Sequence, residues 1–171
     1  GSSQGGFLVY ASSHALHDGH EAPVGIIDWK SWKLARQCRS SLSAESQAMA
    51  GSIVILNFIR LFFADCLHPE GIDLRQPDRV LQLLPESCAI TDCKSLYDAL
   101  EKNESLGLGL SEKRTSIEVT ATRQQMRATG IKTRWVNSDR QLADVLTKPT
   151  APSASIHRLQ QTGRWKIVWD A

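Results

Sequence analysis

The sequence predicts an α/β domain in which a mixed sheet is flanked by helices. Two apolar runs near the N-terminus, separated by a turn-forming segment, predict a pair of antiparallel strands. After a long apolar helix, short buried strands alternate with helical segments, which is the order of a layered α/β structure. With 171 residues, of which 42% are hydrophobic and 22% charged, the chain is long and apolar enough for one packed domain.

The N-terminal half begins with a predicted hairpin. Residues 7–11 and 24–29 are the two apolar strands, and the connection between them contains the turn pair Asp18-Gly19. A long helix is predicted over residues 42–66, because serines that can cap its N-terminus precede a long apolar stretch. The cap candidates are Ser40, Ser41 and Ser43.

The C-terminal half is predicted to alternate strands with helices. A loop or short helix is expected over residues 68–85. The expected strands cover residues 88–91 and 132–136, and the expected helices cover residues 95–103, 110–128 and 138–146. Ser138 or Asp139 would cap the last of these helices. Residues 1–150 are predicted to form the domain, and residues 151–171 a C-terminal extension of one helix and one strand.

Composition and charge narrow the class of protein. The net charge of +2 is too small to identify a nucleic-acid binder by itself. Four cysteines without a Cys-x-x-Cys pair predict reduced, mostly buried thiols of an intracellular protein. The apolar stretch 53–64 is shorter than a bilayer span and contains Asn57 and Arg60, so it predicts a core helix and no membrane partner.

Three acidic residues stand out by their sequence context. Glu45 follows a Ser-Ser-Leu-Ser-Ala segment on the long helix, and Asp92 ends the strand at 88–91. Asp144 lies in the block Gln-Leu-Ala-Asp-Val-Leu-Thr-Lys-Pro at 141–149. They are too far apart for one local motif, which suits carboxylates brought together by a fold. Asp139 competes with Asp144 but fits a helix N-cap better.

In these three segments the chain resembles the ribonuclease H domain that ends the Pol polyprotein (reverse transcriptase/RNase H) of copia-type LTR retrotransposons. The resemblance runs from about residue 5 to residue 149, and the 141–149 block is its most specific part. It implies a ribonuclease H-like mixed sheet flanked by helices. The implied activity is metal-dependent endonucleolytic hydrolysis of RNA in RNA–DNA hybrids.

The resemblance also implies the site and its partners. Glu45, Asp92 and Asp144 would be catalytic residues and metal ligands for two Mg²⁺ ions, with Mn²⁺ as a substitute. Such ions need few carboxylates because water and substrate phosphate complete their coordination. The implied partners are an RNA–DNA hybrid and a preceding reverse transcriptase domain. The implied location is a retrotransposon particle in the cytoplasm, or the nucleus.

One element of that family pattern is missing. The family carries its first catalytic Asp on a strand before the one at 7–11, whereas this sequence has no acidic residue before Asp18. We therefore expect the sheet to lack its first strand and the chain to cleave weakly or not at all. The alternative function is a non-catalytic ribonuclease H-like module that binds nucleic acid or a polymerase partner. A related nuclease or transposase acting on DNA is a further alternative, which the 141–149 block disfavours.

Two groups of basic residues are candidates for holding nucleic-acid phosphates. Backbone phosphates supply most of the affinity for a hybrid, so cations that flank the carboxylates would suit this role. Ordinary solvated surface charge is the competing interpretation for both groups. The candidate residues are Lys30, Lys33, Arg36 and Arg39 before the long helix, and Lys113 and Arg114 at the start of a later one.

Overall fold

The computed structural model describes residues 3–101, 113–151 and 153–167, and it confirms the mixed α/β class. Two 3₁₀ helices, Ser138–Arg140 and Leu142–Leu146, follow the fourth strand. In chain order the strands and α-helices are β1 (Gln4–Ser12), α1 (His14–His17), β2 (Ala22–Lys33), α2 (Ser41–Leu67), α3 (Pro77–Leu83), β3 (Ser87–Thr91), α4 (Lys94–Glu101), α5 (Lys113–Ala128), β4 (Ile131–Trp135), α6 (Ala154–Thr162) and β5 (Arg164–Trp165).

The described strands form two sheets rather than the single mixed sheet that the sequence predicts. An antiparallel sheet has the order β1-β2-β5, and β3 pairs with β4 in a parallel sheet. The predicted antiparallel pairing of the first two strands is confirmed, although their connection contains the short helix α1. The division into two sheets lies between β1 and β3, since no ladder of backbone hydrogen bonds joins these two strands within the described residues.

Two apolar cores lie on opposite faces of the strands. The first is built from α2, α4 and α5 and includes Ile53, Leu96 and Val119. The second joins β2 to the C-terminal segment and includes Val136 and Trp165. Neighbouring residues of β3 divide between them, because successive side chains of a strand point to opposite faces. Ala89 belongs to the first core, and Ile90 packs against the second.

The C-terminal segment packs against the rest of the chain. Strand β5 pairs with Ala22 and Pro23 at the start of β2, and both Trp165 and Ile167 are buried in the second core. Three parts of the predicted elements lie outside the described residues: the end of the last strand at 168–169, the end of the helix predicted over 95–103, and the beginning of the helix predicted over 110–128. The described part of 151–171 therefore contributes to the second core.

Two predictions about local structure are wrong. The segment before Leu146 forms two 3₁₀ helices, whose N-cap residues are Asn137 and Gln141 rather than Ser138 or Asp139, and neither makes a side-chain cap. The four cysteines are unpaired as expected, but they are not mostly buried: Cys66 is exposed and the others are partly exposed.

Helix α2 is longer than the apolar stretch on which the core-helix prediction rests. Its 27 residues include an 18-residue window with a mean hydropathy of 1.7, so by length and composition alone it could cross a membrane. A core helix of a soluble protein can pass the same test, but only 22% of this window is buried, and Val54, Phe58 and Phe62 are exposed, so the core-helix prediction holds for one face of α2 alone. In this structure the helix turns Ser46, Asn57 and Arg60 inward, where all three are buried.

Ser40 begins α2, and its side chain accepts a hydrogen bond from the Ser43 amide at 3.1 Å. We expect Ser40→Ala to lower the free energy of unfolding by about 1 kcal/mol, because one amide of the first turn loses its partner. Ser41→Ala, an exposed change one residue on, is the matched control and should cost less than about 0.5 kcal/mol. Equal effects of the two changes in urea unfolding would contradict a capping role.

Gly6 marks the closest approach of β1 to the second 3₁₀ helix. A β-carbon at this position would lie 2.7 Å from Cγ2 of Thr147 and 3.2 Å from Cβ of Leu146. The first of these contacts is shorter than real β-carbons make and the second is tighter than most, so any larger residue would force Thr147 to shift, and glycine lets the segment carrying Asp144 lie directly on β1.

Candidate active site

A cavity of about 250 Å³ opens between β1 and β3, and the three predicted carboxylates line it. Glu45 comes from the second turn of α2, Asp92 from the residue after β3, and Asp144 from the second 3₁₀ helix. Lys148 lines the same cavity. These four side chains are referred to below as the acidic cleft.

Local hydrogen bonds fix the backbone on which two of the acids stand. At the end of β3, the Thr91 hydroxyl accepts from the Cys93 amide at 3.1 Å, and the Trp135 indole donates to the Asp92 carbonyl at 3.1 Å. In the 3₁₀ segment, the Asp144 carbonyl accepts from the amides of Thr147 and Lys148 at 3.0 and 2.9 Å. The chain turns tightly at each place, so both side chains enter the cavity from well-anchored backbone.

Lys148 provides the positive charge within the acidic cleft. Its Nζ atom lies 2.7 Å from Oδ2 of Asp144 and 4.0 Å from Oδ2 of Asp92. The Lys148 side chain is 51% exposed, whereas those of Asp92 and Asp144 are 10% and 11% exposed. One half-exposed ammonium group thus faces two nearly buried carboxylates and a third, Glu45, close enough to act on them.

The pKa values of the cleft record this crowding of acids. Burial, and next the charge of Asp92, raise the pKa of Glu45 to about 7, although Lys148 opposes the shift. Burial also raises the pKa of Asp144, and the hydrogen bond from Lys148 limits that rise. Burial alone would lower the pKa of Lys148, but its hydrogen bond to Asp144 and the three nearby acids raise it. The cleft therefore carries more negative potential than one lysine neutralises.

The donor chemistry of the cleft fits a hard divalent cation. Carboxylate oxygens are the ligands that Mg²⁺ and Mn²⁺ take, and an excess of acids attracts a cation. Within the described residues, no three His, Cys, Asp or Glu side chains stand in an arrangement ready to bind a metal. The nearest cation to Asp144 is Lys148, so a metal ion would have to share or replace that contact.

The first group of basic candidates does not act as one cluster. Lys30 and Lys33 are exposed on β2 and lie three residues apart, so their side chains point to opposite faces of the strand. Arg36 forms an ion pair with Glu118 of α5. Arg39 is exposed in the loop before α2. Because Lys30 and Lys33 point in opposite directions and Arg36 is already paired, these four residues cannot all contact one bound nucleic-acid backbone.

The second group begins α5, where Lys113 and Arg114 are both exposed. Arg114 lines a shallow groove between α2 and α5, and Arg36 lines the same groove. The structure therefore brings together one residue from each predicted basic group.

Strand β2 is connected to the acidic cleft by a hydrogen bond. The Ser31 hydroxyl donates to the Leu146 carbonyl at 2.6 Å, beside the segment that carries Asp144.

Sequence reasoning gave no role to three residues that line the cavity. Lys148 could have been recognised from its spacing, since it lies four residues after Asp144. Gln141 donates from its side-chain amide to the Ile90 carbonyl of β3 at 3.3 Å, and the Tyr10 hydroxyl is buried without a hydrogen-bond partner in the described part of the chain. Gln141 could have been noticed because it begins the 141–149 block, whereas no sequence signal indicates Tyr10.

Comparisons with known proteins do not identify a neighbour. No family model, no curated protein and no solved structure matches this chain. The motif resemblance and the geometry of the acidic cleft are therefore what supports a functional proposal.

Proposed function

We propose that this chain is a ribonuclease H-like domain of the copia retrotransposon kind, which hydrolyses the RNA strand of RNA–DNA hybrids with the help of divalent metal ions. The observation that carries this proposal is the convergence of Glu45, Asp92 and Asp144 on one cavity from three separate elements. Acids so distant in sequence meet by chance less readily than neighbours on one helix do. Convergence on one cavity is what a metal-dependent nuclease requires.

The order of elements supports the ribonuclease H-like fold within this proposal. An antiparallel hairpin is followed by a long helix, and the parallel strands β3 and β4 are joined through α4 and α5. The acids stand at the end of β3 and on the helical segment after β4, where ligands of α/β sheets collect.

Each carboxylate has a role under this proposal. Asp92 and Asp144, with Glu45, would hold Mg²⁺, which when bound supplies a water of lowered pKa and positive charge for phosphate oxygens. Lys148 holds the Asp144 carboxylate in place, and because its side chain is half exposed and lines the cavity, its positive charge would also attract a phosphate there. Arg36 and Arg114, which line one groove, are the first proposed contacts for the nucleic-acid backbone. The other candidates are the exposed residues Lys30, Lys33, Arg39 and Lys113, of which Lys30 and Lys33 point to opposite faces of β2.

One observation favours the second candidate function, a non-catalytic module that binds nucleic acid or a polymerase. Lys148 forms its ion pair directly with Asp144 and approaches Asp92. A lysine in that position can keep a cluster of acids folded without any metal, because it lowers the electrostatic cost of their proximity. A domain that had lost its catalytic activity would keep such an ion pair because it stabilises the fold.

Cleavage of an end-labelled RNA–DNA hybrid in Mg²⁺ and in Mn²⁺ tests both candidates. We expect weak metal-dependent cleavage at most, as the sequence predicts, and Asp92→Asn should reduce any cleavage to the rate measured without protein, because the substitution removes a charged ligand. Asp65→Asn, an exposed position on α2 far along the helix from Glu45, is the matched control and should leave the rate unchanged. Duplex DNA of the same sequence should not be cut.

The other outcomes separate the candidates. Salt-sensitive hybrid binding without cleavage would contradict the nuclease and support the binding module, since phosphate contacts weaken steeply with salt. Cleavage of duplex DNA in preference to the hybrid would contradict the proposed substrate. Neither cleavage nor binding would overturn both candidates.

A further inference from the structure

Helix α2 exposes an apolar stripe on the side that faces away from its buried residues. Val54, Phe58 and Phe62 follow one another at intervals of four residues, and their exposed fractions are 56%, 69% and 61%. Leu61, which lies beside them, is partly exposed. Residues four apart form a continuous ridge along a helix, and monomeric soluble proteins rarely leave large apolar patches uncovered. The stripe therefore indicates a surface that packs against a partner.

The spacing of the stripe is symmetric about Phe58. Gly51 lies seven residues before Phe58 and Asp65 seven residues after it, and residues seven apart share one face of a helix. Val54 and Leu61 lie between them, so the stripe has the alternating spacing of three and four residues that a seam between two packed helices requires. A stripe that is symmetric about its central residue suits an antiparallel contact with the same stripe of a second copy.

The two ends of the stripe have opposite charges. Asp65 is exposed at one end, and at the other end Arg114 of α5 is exposed and lines the α2–α5 groove beside Val54. Within the described residues, neither Asp65 nor Arg114 has an ion-pair partner. If two copies pack antiparallel about Phe58, Asp65 of each copy lies over Gly51 of the other and within reach of its Arg114. The charges of the two ends are therefore complementary to those of a second copy.

The α2–α5 groove gives an apolar side chain of the second copy a place to pack. Val54 and Ile117 line the groove, and Ile117 is 69% exposed. Between them the groove is lined by small side chains, namely Ala50, Ala121 and Thr122. In the antiparallel arrangement Leu61 of the second copy lies opposite Val54, on the side of the stripe nearer α5, so it can enter this groove. Gly51 has no side chain, which lets the two helices approach closely.

The same charges argue against a lipid bilayer as the occupant of the stripe. Helix α2 is long and apolar enough to cross a membrane, but a bilayer that covered the stripe would also have to desolvate Asp65. Helices that lie on membrane surfaces carry Lys and Arg on their polar face, with no acid within the apolar stripe. A second copy avoids this cost because it supplies Arg114 for the acid.

We propose that the protein forms a symmetric dimer in which the α2 stripes of two copies pack antiparallel, with Phe58 on the two-fold axis and Asp65 of each copy paired with Arg114 of the other. The contact is isologous, so each of its interactions occurs twice. Glu45 lies thirteen residues before Phe58, which at about 100° per residue places it on nearly the opposite side of α2. The acidic cleft therefore stays open in the dimer, and dimerisation can be tested separately from the nuclease.

Sedimentation velocity of the protein without nucleic acid tests for the dimer, since Arg114 is also a proposed nucleic-acid contact. The dimer fraction of the wild-type protein should rise with concentration between about 1 and 200 μM. Phe58→Glu places two carboxylates together on the axis and should raise the dissociation constant at least about tenfold. Leu83→Glu, at an 86% exposed position of α3, is the matched control and should change it by less than about twofold. Circular dichroism would verify that both variants are folded.

Charge reversal tests the register of the two helices. Asp65→Arg and Arg114→Asp should each raise the dissociation constant about threefold to tenfold, because like charges then meet twice across the interface. An equimolar mixture of the two single variants restores both opposite-charge pairs in a heterodimer. The mixture should therefore dimerise to within about twofold of the wild-type affinity, although neither variant does so alone. Both residues are exposed, so the folded monomer does not depend on either charge.

Three results would overturn the proposal. The first is a protein that stays monomeric at about 200 μM, a concentration at which even weak dimers form. The second is a dimer whose dissociation constant Phe58→Glu leaves unchanged, which would place the self-association on another surface. The third is a mixture of the charge-reversed variants that dimerises no better than each variant alone. If the monomer instead co-sediments with phosphatidylcholine vesicles and Phe58→Glu abolishes this, a bilayer and not a second copy covers the stripe.

Discussion

Replacing Arg60 with methionine is expected to lower the free energy of unfolding by about 3 kcal/mol, because the carbonyls it serves would be left without donors. The guanidinium group is buried and donates to the Thr129 carbonyl at 2.7 Å, the Leu81 carbonyl at 2.8 Å and the Asn57 side chain at 3.2 Å. One side chain of α2 thereby holds the end of α3 and the residue that follows α5.

The loss of stability on replacing Arg60 is smaller than the lost hydrogen bonds alone would give, because the replacement also removes a buried charge. Burial lowers the pKa of Arg60, which means that the charged group is held at some expense, and its Nε has no partner in the described part of the chain. Removing a buried charge recovers that expense, so the net effect stays below the sum of three hydrogen bonds. Urea unfolding measures it.

The matched control for this change is Arg79→Met, the same substitution at an exposed position of α3. It should change stability by less than about 0.5 kcal/mol. A loss of less than about 1 kcal/mol for Arg60→Met would contradict the proposed role of Arg60 in holding α3 and the end of α5. It would show that water readily hydrogen-bonds to the carbonyls of Leu81 and Thr129 once the guanidinium group is removed.

Glu45→Gln is expected to stabilise the metal-free protein at pH 8 by about 3 kcal/mol and to have no such effect at pH 4. The physical reason is that burial, and next the charge of Asp92, raise the pKa of Glu45 to about 7 in the folded state. A glutamine of similar shape has no charge to desolvate or to repel neighbouring acids.

The direction of the pH dependence follows from proton binding. Below the unfolded-state pKa of about 4.3, Glu45 is protonated whether the chain is folded or not, so it imposes no cost. Between that pH and about 7 the folded state binds the extra proton, and stability falls as pH rises. Above pH 7 the full cost is present, which is where glutamine helps most.

Unfolding in urea with EDTA at several pH values between 4 and 8 tests this dependence. Glu101→Gln, an exposed change on α4, is the matched control and should stay within about 0.5 kcal/mol of wild type throughout. A difference between Glu45→Gln and wild type that does not vary with pH would contradict the ionisation of Glu45 as its cause.

Sequence reasoning predicted the elements of this fold better than their assembly. The strand β1 and the helix α2 have strong local signals, namely an apolar run after two glycines and a serine cap before a long apolar stretch. Helix ends are also local, because Ser40 acts on an amide three residues away. The separation of β1 from β3 depends on pairing between distant residues, which no local pattern encodes.

The residues of the acidic cleft were predicted from the sequence, whereas other contacts of the candidate site were not. Motif context singled out Glu45, Asp92 and Asp144, and the structure places all three on one cavity. The pairing of Arg36 with Glu118 could not be foreseen, since it depends on how α2 and α5 pack. The short 3₁₀ form of the Asp144 segment also escaped prediction, because its apolar residues follow the contacts with β1 rather than a helical period.

The division of the interior into two cores has a consequence for cooperativity. Apart from β3, which contributes to both, the two cores are built from different elements, and the described strands that separate them are not joined by one continuous ladder. Packing can then be lost on one side while the other persists, so the chain contains two potential units of local opening.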